Sequence, residues 1–192
     1  MDINIDITKI KIETKRLILR IWRESDLNDF YEYASVPGVG EMAGWKHHES
    51  VEESQSILDS FISQKNVFAI EHKNNKKVIG SLGIHNSWAN DDLDYASLNL
   101  KEIGYVLSKD YWGQGLMPEA VFAVLFYCFN ELKLDAVTCG HFISNNQSKR
   151  VIEKCGFKYV KTSEYYAKQL HASFEDMKYI LIFRPLKQLK TT

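Results

Sequence analysis

One segment decides the fold of this chain: Ser97 to Phe129, with the sequence SLNLKEIGYVLSKDYWGQGLMPEAVFAVLFYCF. Its first part, Ser97 to Lys109, alternates apolar side chains between two faces and predicts a strand. A turn from Asp110 to Gly115 follows, and then a helix with Pro118 in its first turn, where proline is well tolerated. The remainder of the helix is apolar on almost every side. We therefore expect this helix to be packed in a core against a sheet.

The two glycines of the turn, Gly113 and Gly115, are compatible with an anion site. Residues without a Cβ adopt left-handed conformations, which lets successive backbone N–H groups converge on one point. The helix N-terminus that follows adds the positive end of its dipole. A tight strand-to-helix turn that binds nothing is the alternative. A dinucleotide fingerprint fits poorly because Pro118 takes the place of its third glycine, and no P-loop lysine follows the turn.

Composition limits the class of protein. With 192 residues, 45% of them hydrophobic, the sequence predicts a single domain over residues 1–192. The 24 basic and 25 acidic side chains give a net charge of -1, which provides no general field for nucleic acid or an anionic membrane. Three cysteines without a C-x-x-C spacing favour a reducing, cytosolic setting. We expect no secretory leader and no membrane span, because the first twenty residues have no apolar core and no long apolar run occurs, and the scattered histidines predict no metal site.

The other elements follow from periodicity and capping signals. They are a strand over 16–23, a helix capped by Ser25 and Asp26 that runs to about Tyr33 or Ala34, a helix from Val51 to about Gln64 capped by Ser50, strands over 67–71, 77–85 and 135–142, a helix over 147–155 capped by Asn145-Asn146 and closed by Gly156, and a final antiparallel pair over 157–166 and 176–183. The loop over 39–49 carries aromatic and histidine side chains, which are typical of specificity loops. The predicted order is β-α-α-β-β-β-α-β-α-β-β.

Four motifs, in this order and at suitable spacing, carry a family resemblance. They are ETKRLILR over 13–20, EIGY over 102–105, YWGQG over 111–115 with Glu119-Ala120, and Asn145-x-x-Ser148 with KCGF over 154–157. With these motifs the chain resembles the GNAT acyl-coenzyme A-dependent N-acetyltransferases, and within them the RimJ/RimL-like branch, over residues 12–185. The resemblance implies a mixed α/β GNAT fold: a central, mostly antiparallel sheet of about seven strands, splayed at the cofactor site and flanked by about four helices.

The resemblance also implies acetyl-CoA as co-substrate. The pyrophosphate of coenzyme A would lie on the backbone of Trp112, Gly113, Gln114, Gly115, Leu116 and Met117. The pantetheine arm would run along Tyr105, Val106 and Leu107, where two parallel strands separate, and Asn145 would belong to the same site. Asp110 departs from the family, which usually has Gln or Arg in its place. We therefore expect the carboxylate of Asp110 to point away from the phosphates.

Acetyl transfer requires a polarised thioester carbonyl and a proton for the departing thiolate. We expect the N–H of Val106 to stabilise the oxyanion, a contribution of roughly 3 kcal/mol. Many family members provide the proton from a tyrosine on the last helix, but that position is Ile152 here. The resemblance makes Ser148 the candidate acid instead. The alternative is that Ser148 only helps to cap its helix.

Acetyl transfer also requires a base that keeps the amine neutral. Glu102 is the first candidate because it occupies the family's usual Glu position on a strand face shared with apolar side chains, where burial would raise its pKa. The alternative is a cross-strand ion-pair partner with no chemical role. His48 is the second candidate, in the loop that borders the acceptor site in this branch, and the alternative there is an exposed, inert histidine.

The sequence therefore predicts a cytosolic N-acetyltransferase, monomeric or homodimeric, that moves acetyl directly from acetyl-CoA to a primary amine in a ternary complex. The acceptor is a protein N-terminus, such as that of a ribosomal protein, or a small amine. Two other classes stay open: a non-catalytic acyl-CoA-binding module, and a protein that uses the glycine turn to bind another nucleotide.

Overall fold

The computed structural model describes residues 4–183 and gives the following elements. The strands are β1 (Ile12–Glu13), β2 (Leu17–Arg20), β3 (Val67–His72), β4 (Val78–His85), β5 (Leu100–Leu107), β6 (Ala136–Phe142), β7 (Lys158–Ala167) and β8 (Ala172–Ile182). The α-helices are α1 (Leu27–Ala34), α2 (Val51–Gln64), α3 (Leu116–Asn130) and α4 (Asn146–Lys154).

These strands form a single sheet in the order β1-β2-β3-β4-β5-β6-β8-β7. Neighbouring strands are antiparallel except β5 and β6, which are parallel. The predicted mixed, mostly antiparallel sheet flanked by helices is therefore confirmed, with β1 as an eighth strand. Two residues are too few to show a period in the sequence, which explains why β1 was not predicted.

The sheet opens between β5 and β6. These strands pair only from Leu100 with Ala136 to Glu102 with Thr138. Beyond that point β5 stays paired with β4 as far as Leu107, and β6 stays paired with β8 as far as Phe142. Because each strand keeps its outer neighbour, the two separate from each other and leave a gap inside the sheet. The predicted splay of two parallel strands is thus confirmed.

The two faces of the sheet have separate cores. On one face, Ile103 and Leu107 of β5 pack in a cluster with the buried side of α3. On the other face, Val67 of β3 packs with Phe30 of α1 and Leu58 of α2. The period of two along each strand sends alternate side chains to these two cores, so β5 presents its odd-numbered residues to α3.

Helix α3 is less completely buried than its composition suggested. Pro118 lies in the first turn, as predicted. However, Phe122 and Phe126 are 50% and 67% exposed, on the side of the helix that faces away from the sheet. A helix that lies on a sheet always has such an outer face, and here it is occupied by apolar residues, which hides the amphipathic pattern.

Strand β2 is shorter than the predicted strand over 16–23, and Arg20 explains why. The Arg20 side chain is buried and donates to both carboxylate oxygens of Asp26, at 2.8 and 2.9 Å, and to Glu71 at 2.7 Å. This ion-paired cluster draws the chain from the sheet into α1. The prediction that Asp26 caps α1 is therefore wrong for its side chain, because the Asp26 carboxylate binds Arg20 instead.

The last hairpin is longer than predicted, since β8 begins at Ala172 instead of Asp176. Its added part extends beyond the sheet and reaches the loop over 39–49, where Gln169 accepts a hydrogen bond from the backbone N–H of Lys46 at 3.1 Å. The hairpin is thereby joined to the loop over 39–49.

Candidate functional site

A cavity of about 480 Å³ occupies the gap between β5 and β6 and continues to the N-terminus of α3. Nine of the ten residues predicted to bind the cofactor line it: Tyr105, Val106, Leu107, Trp112, Gly113, Gly115, Leu116, Met117 and Asn145. Ser148 lines it as well, whereas Gln114, Glu102 and His48 do not. The structure thus brings together in one cavity residues from β5, the glycine turn, α3 and α4.

The glycine turn has the geometry that an anion site needs. Gly113 and Gly115 have φ values of +75° and +73°, in the left-handed region that favours glycine. Gly115 is the residue immediately before α3, and a side chain at Gly113 would meet no atom within 4 Å. The first N–H groups of a helix have no intrahelical partner, so those of Leu116 and Met117 are directed out of the helix end that lines the cavity.

The turn is held by residues distant in sequence. The guanidinium of Arg16 donates to the carbonyl oxygen of Gln114 at 2.9 Å and to Glu119 of α3 at 2.7 Å. Gln114 therefore anchors the turn instead of lining the cavity. The indole N–H of Trp112 donates to the carbonyl oxygen of Leu107 at 2.8 Å, which ties the turn to the end of β5.

Cationic side chains line the cavity or lie near the glycine turn. Arg150 and Lys154 of α4 line it, and the Arg16 guanidinium lies 3.7 Å from the position of a Cβ on Gly115. Asp110 is exposed and does not line the cavity. The sequence analysis did not identify Arg150 and Lys154 as site residues. Their i, i+4 spacing on the predicted helix that carries Ser148 could have indicated that both side chains lie on one helix face.

The register of β5 decides which backbone groups face the gap. The N–H of Ser108 donates to Ile79 in the strand before β5, at 2.8 Å. In an antiparallel ladder, alternate residues bond to the same neighbour, so Val106 also faces β4. The backbone groups of Tyr105 and Leu107 therefore face the gap. The prediction that the Val106 N–H meets the thioester oxygen does not fit this register.

Ser148 and Tyr105 meet at the wall of the cavity. Their hydroxyl oxygens are 2.9 Å apart. The cap of α4 is the side-chain oxygen of Asn145, which accepts from the Ser148 N–H at 3.0 Å, as predicted for Asn145. The Ser148 hydroxyl itself contacts Tyr105, so it does not serve as the cap. Burial raises the pKa of Tyr105 well above its ordinary value, and the phenol stays protonated.

Glu102 occupies the point where the two strands separate. It is the last residue of β5 that pairs with β6, and its side chain shares the sheet face of Leu100 and Val106, opposite to α3. Burial raises the pKa of Glu102, although Lys178 and the Trp88 N–H, which donates to the carboxylate at 3.3 Å, act in the opposite direction. Glu102 is thus a partly desolvated carboxyl beside the cavity.

His48 is buried and not exposed, contrary to the expectation for a loop histidine. Its ring is 6% exposed and packs against Phe30 and Trp45, with centroid distances of 5.2 and 5.1 Å. The Nδ1 atom lies 2.7 Å from the Ser54 hydroxyl oxygen. Burial lowers the pKa of His48. These contacts join the loop to α1 and α2.

Residues 4–183 form neither a metal-binding cluster nor a membrane-spanning helix. In that part of the chain no group of three or more His, Cys, Asp or Glu side chains is placed to hold a metal ion. Within the same residues no helix is both long and apolar enough to cross a membrane.

Comparison with known proteins gives a consistent result. The family described as "Acetyltransferase (GNAT) domain" matches residues 16–158. The uncharacterized N-acetyltransferase YoaA of Bacillus subtilis is 28% identical over 153 residues, which cover 77% of this chain and 82% of YoaA. The family match runs from the residue before β2 to the first residue of β7 and includes the glycine turn.

Solved structures show the same fold. A GNAT-family acetyltransferase from Bacillus anthracis has a TM-score of 0.78 at 21% identity, covering 90% of this chain and 98% of that one. The ribosomal-protein-S5-alanine acetyltransferase from Vibrio fischeri has a TM-score of 0.69 at 19% identity, covering 92% and 100%.

Proposed function

Because the chain belongs to the GNAT acetyltransferase family and is an N-acetyltransferase, we propose that it takes the acetyl group from acetyl-CoA and passes it directly to a primary amine. The observation that carries this proposal is the gap between β5 and β6, which leads to the glycine turn before α3. An unpaired strand edge suits an extended pantetheine arm, and a helix N-terminus suits a phosphate. One cavity therefore fits both parts of the cofactor.

The pyrophosphate lies on the glycine turn in this proposal. The N–H groups of Leu116 and Met117 and the dipole of α3 bind its oxygens. Arg150 and Lys154, which line the cavity, supply positive charge. The exposed carboxylate of Asp110 stays away from the phosphates, which agrees with its absence from the cavity wall.

The pantetheine arm and the thioester lie along β5. The backbone groups of Tyr105 and the N–H of Leu107 are available to pair with the arm, whereas the Leu107 carbonyl is already bound by Trp112. We assign the oxyanion contact to the N–H of Tyr105, in place of Val106. One such preorganised donor contributes about 3 kcal/mol to transition-state stabilisation.

Glu102 is the proposed base. Glu102 lies on the sheet face opposite to α3. In this proposal the cofactor approaches from the α3 side, so the amine reaches the thioester from the Glu102 side. The site thereby holds both reactants next to each other. The raised pKa makes the carboxylate a better proton acceptor near neutral pH. His48 remains the second candidate, but its buried ring is enclosed by Phe30, Trp45 and Ser54.

Ser148 is the proposed acid. The amine nitrogen attacks the thioester carbon and gives its proton to Glu102. As the C–S bond breaks, its electron pair stays on sulfur, which takes the proton of the Ser148 hydroxyl, and both side chains then exchange protons with solvent. The position of Ser148 on the cavity wall, with its N–H already used by Asn145, supports this role.

The acceptor is a protein N-terminus or a small amine. The similar fold from Vibrio fischeri is named for acetylation of an alanine of ribosomal protein S5. In this chain Val39, Met42 and Ala43 of the loop over 39–49 line the cavity, and the long β7–β8 hairpin lies beside that loop. We also propose a reducing, cytosolic setting, because Cys128, Cys139 and Cys155 are buried free thiols.

The decisive experiment is an acceptor screen. Purified protein is incubated with acetyl-CoA and a panel of N-terminal peptides and small amines, free thiol is followed with a chromogenic disulfide, and acetylated products are identified by mass spectrometry. The proposal predicts thiol release that depends on the acceptor and matches product in a one-to-one ratio. Tight acetyl-CoA binding without acceptor-dependent release indicates a non-catalytic module. Preference for ATP or NAD over coenzyme A indicates the nucleotide-binding alternative.

A further inference from the structure

The side chain of Tyr105 has a contact that cofactor binding does not explain. Its backbone faces the gap, but its phenol projects toward α4, where the Tyr105 oxygen lies 2.9 Å from the Ser148 hydroxyl oxygen and 3.3 Å from the Ser148 carbonyl oxygen. Both residues line the cavity. The phenol therefore reaches the one hydroxyl that the proposed reaction uses as its acid.

Two proton arrangements satisfy this pair, because either hydroxyl can donate to the other. The phenol carries one proton, and burial raises the pKa of Tyr105 well above its ordinary value, which favours the protonated phenol. Ser148 also carries one hydroxyl proton. If Tyr105 donates to the Ser148 oxygen, that oxygen acts as acceptor for the phenol, and its own proton is free to point into the cavity.

The surroundings leave few other partners for the phenol. Cys139 of β6 and Cys155 after α4 are the other titratable side chains that act on Tyr105, and burial raises the pKa of both thiols. Both therefore stay neutral and are weak hydrogen-bonding groups. Ile152, one turn further along α4, is apolar and buried in the same core. Ser148 is the strong polar partner.

We propose that Tyr105 is a positioning residue for Ser148: its phenol donates to the Ser148 hydroxyl oxygen and directs the Ser148 proton toward the sulfur of coenzyme A. This inference rests on the proposed role of Ser148 as the acid. It gives Tyr105 a side-chain role in turnover that is separate from the pairing of its backbone with the cofactor.

A double-mutant cycle with Tyr105→Phe and Ser148→Ala tests the inference. Ser148→Ala should lower kcat by about 10²-fold, the usual size of an acid's contribution. Tyr105→Phe, which removes only one oxygen, should lower kcat by about threefold to tenfold, as expected for one neutral hydrogen bond. In the Ser148→Ala background Tyr105→Phe should have no further effect. The dissociation constant of coenzyme A, measured by calorimetry on the same samples, should change by less than about twofold.

Tyr159→Phe is the matched control, because it also removes a phenol oxygen that lies 2.9 Å from a hydroxyl, that of Thr162, but on the exposed surface of β7. It should leave kcat unchanged. If Tyr105→Phe keeps the wild-type kcat, as this control does, while Ser148→Ala lowers kcat, then the role proposed for Tyr105 is wrong and the role proposed for Ser148 is retained. Losses that add in the double variant also overturn the inference, since Tyr105 would then act independently. If Ser148→Ala keeps full kcat, both assignments are wrong.

Discussion

Arg16 and Glu119 join the start of β2 to the first turn of α3. The Arg16 Nε atom donates to one oxygen of Glu119 at 2.7 Å, and the Arg16 backbone N–H donates to the other at 2.8 Å, where the Thr14 hydroxyl also binds. Arg16 also donates to the Gln114 carbonyl oxygen in the glycine turn. The Glu119 carboxylate, which holds Arg16 in place, therefore helps to fix the position of that turn. The positions of the N–H groups that we propose to bind phosphate thus depend on a contact with a residue about 100 positions earlier in the chain.

We predict that Glu119→Ala lowers both stability and cofactor affinity. The substitution removes the acceptor of the Arg16 Nε–H and of the Arg16 backbone N–H, and one of the two acceptors of the Thr14 hydroxyl, which should cost about 1–3 kcal/mol in the free energy of unfolding. Coenzyme A should bind several-fold more weakly because Gln114 loses its anchor. Urea denaturation and calorimetry measure the two effects. Glu131→Ala, an exposed glutamate just after the end of α3, is the control, and equal behaviour of the two variants would contradict the prediction.

A second prediction concerns acid stability and Glu41. Burial alone would raise the pKa of Glu41, but hydrogen bonds from the His47 side chain and from the backbone N–H groups of Gly38 and His47 outweigh it and lower the pKa to about 2. A carboxyl whose pKa is lower in the folded state stabilises the fold above its unfolded pKa, near 4.5, and this contribution is lost as the pH falls toward 2.

Glu41→Gln should therefore destabilise the protein most between pH 5 and pH 7, and the difference from wild type should shrink as the pH falls toward 2. Urea denaturation at several pH values measures this difference. Glu49→Gln provides the control because Glu49 is an exposed carboxylate that pairs with Lys46 in the same loop. A Glu41→Gln difference that stays constant across this range would show that the carboxylate charge is not the cause.

Much of the fold follows from local sequence signals. The glycine turn, Pro118 in the first turn of α3, the Ser50 and Asn145 caps and Gly156 with its positive φ are each determined within a few residues. These features act through backbone geometry and neighbouring N–H groups, so a single sequence reveals them. The same holds for the alternation of β5, which predicted the strand that borders the cavity.

Contacts between distant residues account for most of the errors. The end of β2 depends on Arg20 meeting Glu71, and the burial of His48 depends on packing against Phe30 and Ser54. No local sequence pattern predicts such long-range contacts. The oxyanion assignment to Val106 failed for a related reason, since the direction of an N–H in a strand depends on the register with β4.

A third prediction addresses the base. Because burial raises the pKa of Glu102, the kcat/KM of the wild type should rise with pH through an inflection above 4.5. Glu102→Gln keeps the size of the side chain but does not accept a proton. This variant should bind acetyl-CoA normally, lose roughly 10² to 10⁴ in rate near neutral pH, and recover partly at high pH, where more of the acceptor amine is neutral.

His48→Gln is the comparison variant for this experiment. We expect it to lower the melting temperature, because it disturbs a buried contact with Ser54, and to keep the wild-type pH profile. The opposite result, a normal profile for Glu102→Gln and a shifted one for His48→Gln, would move the role of base to His48.

The central claim is that the cavity between β5 and β6 binds acetyl-CoA on the glycine turn, and calorimetric titration of Gly115→Val against Gly156→Val tests it most directly. Both glycines have positive φ, +73° and +88°, so valine strains the backbone equally, but only Gly115 lines the cavity. The account predicts that wild type and Gly156→Val bind acetyl-CoA alike, and that Gly115→Val binds at least about tenfold more weakly, or about 1.4 kcal/mol. Equal affinity of the two variants, or no binding by the wild type, would contradict it.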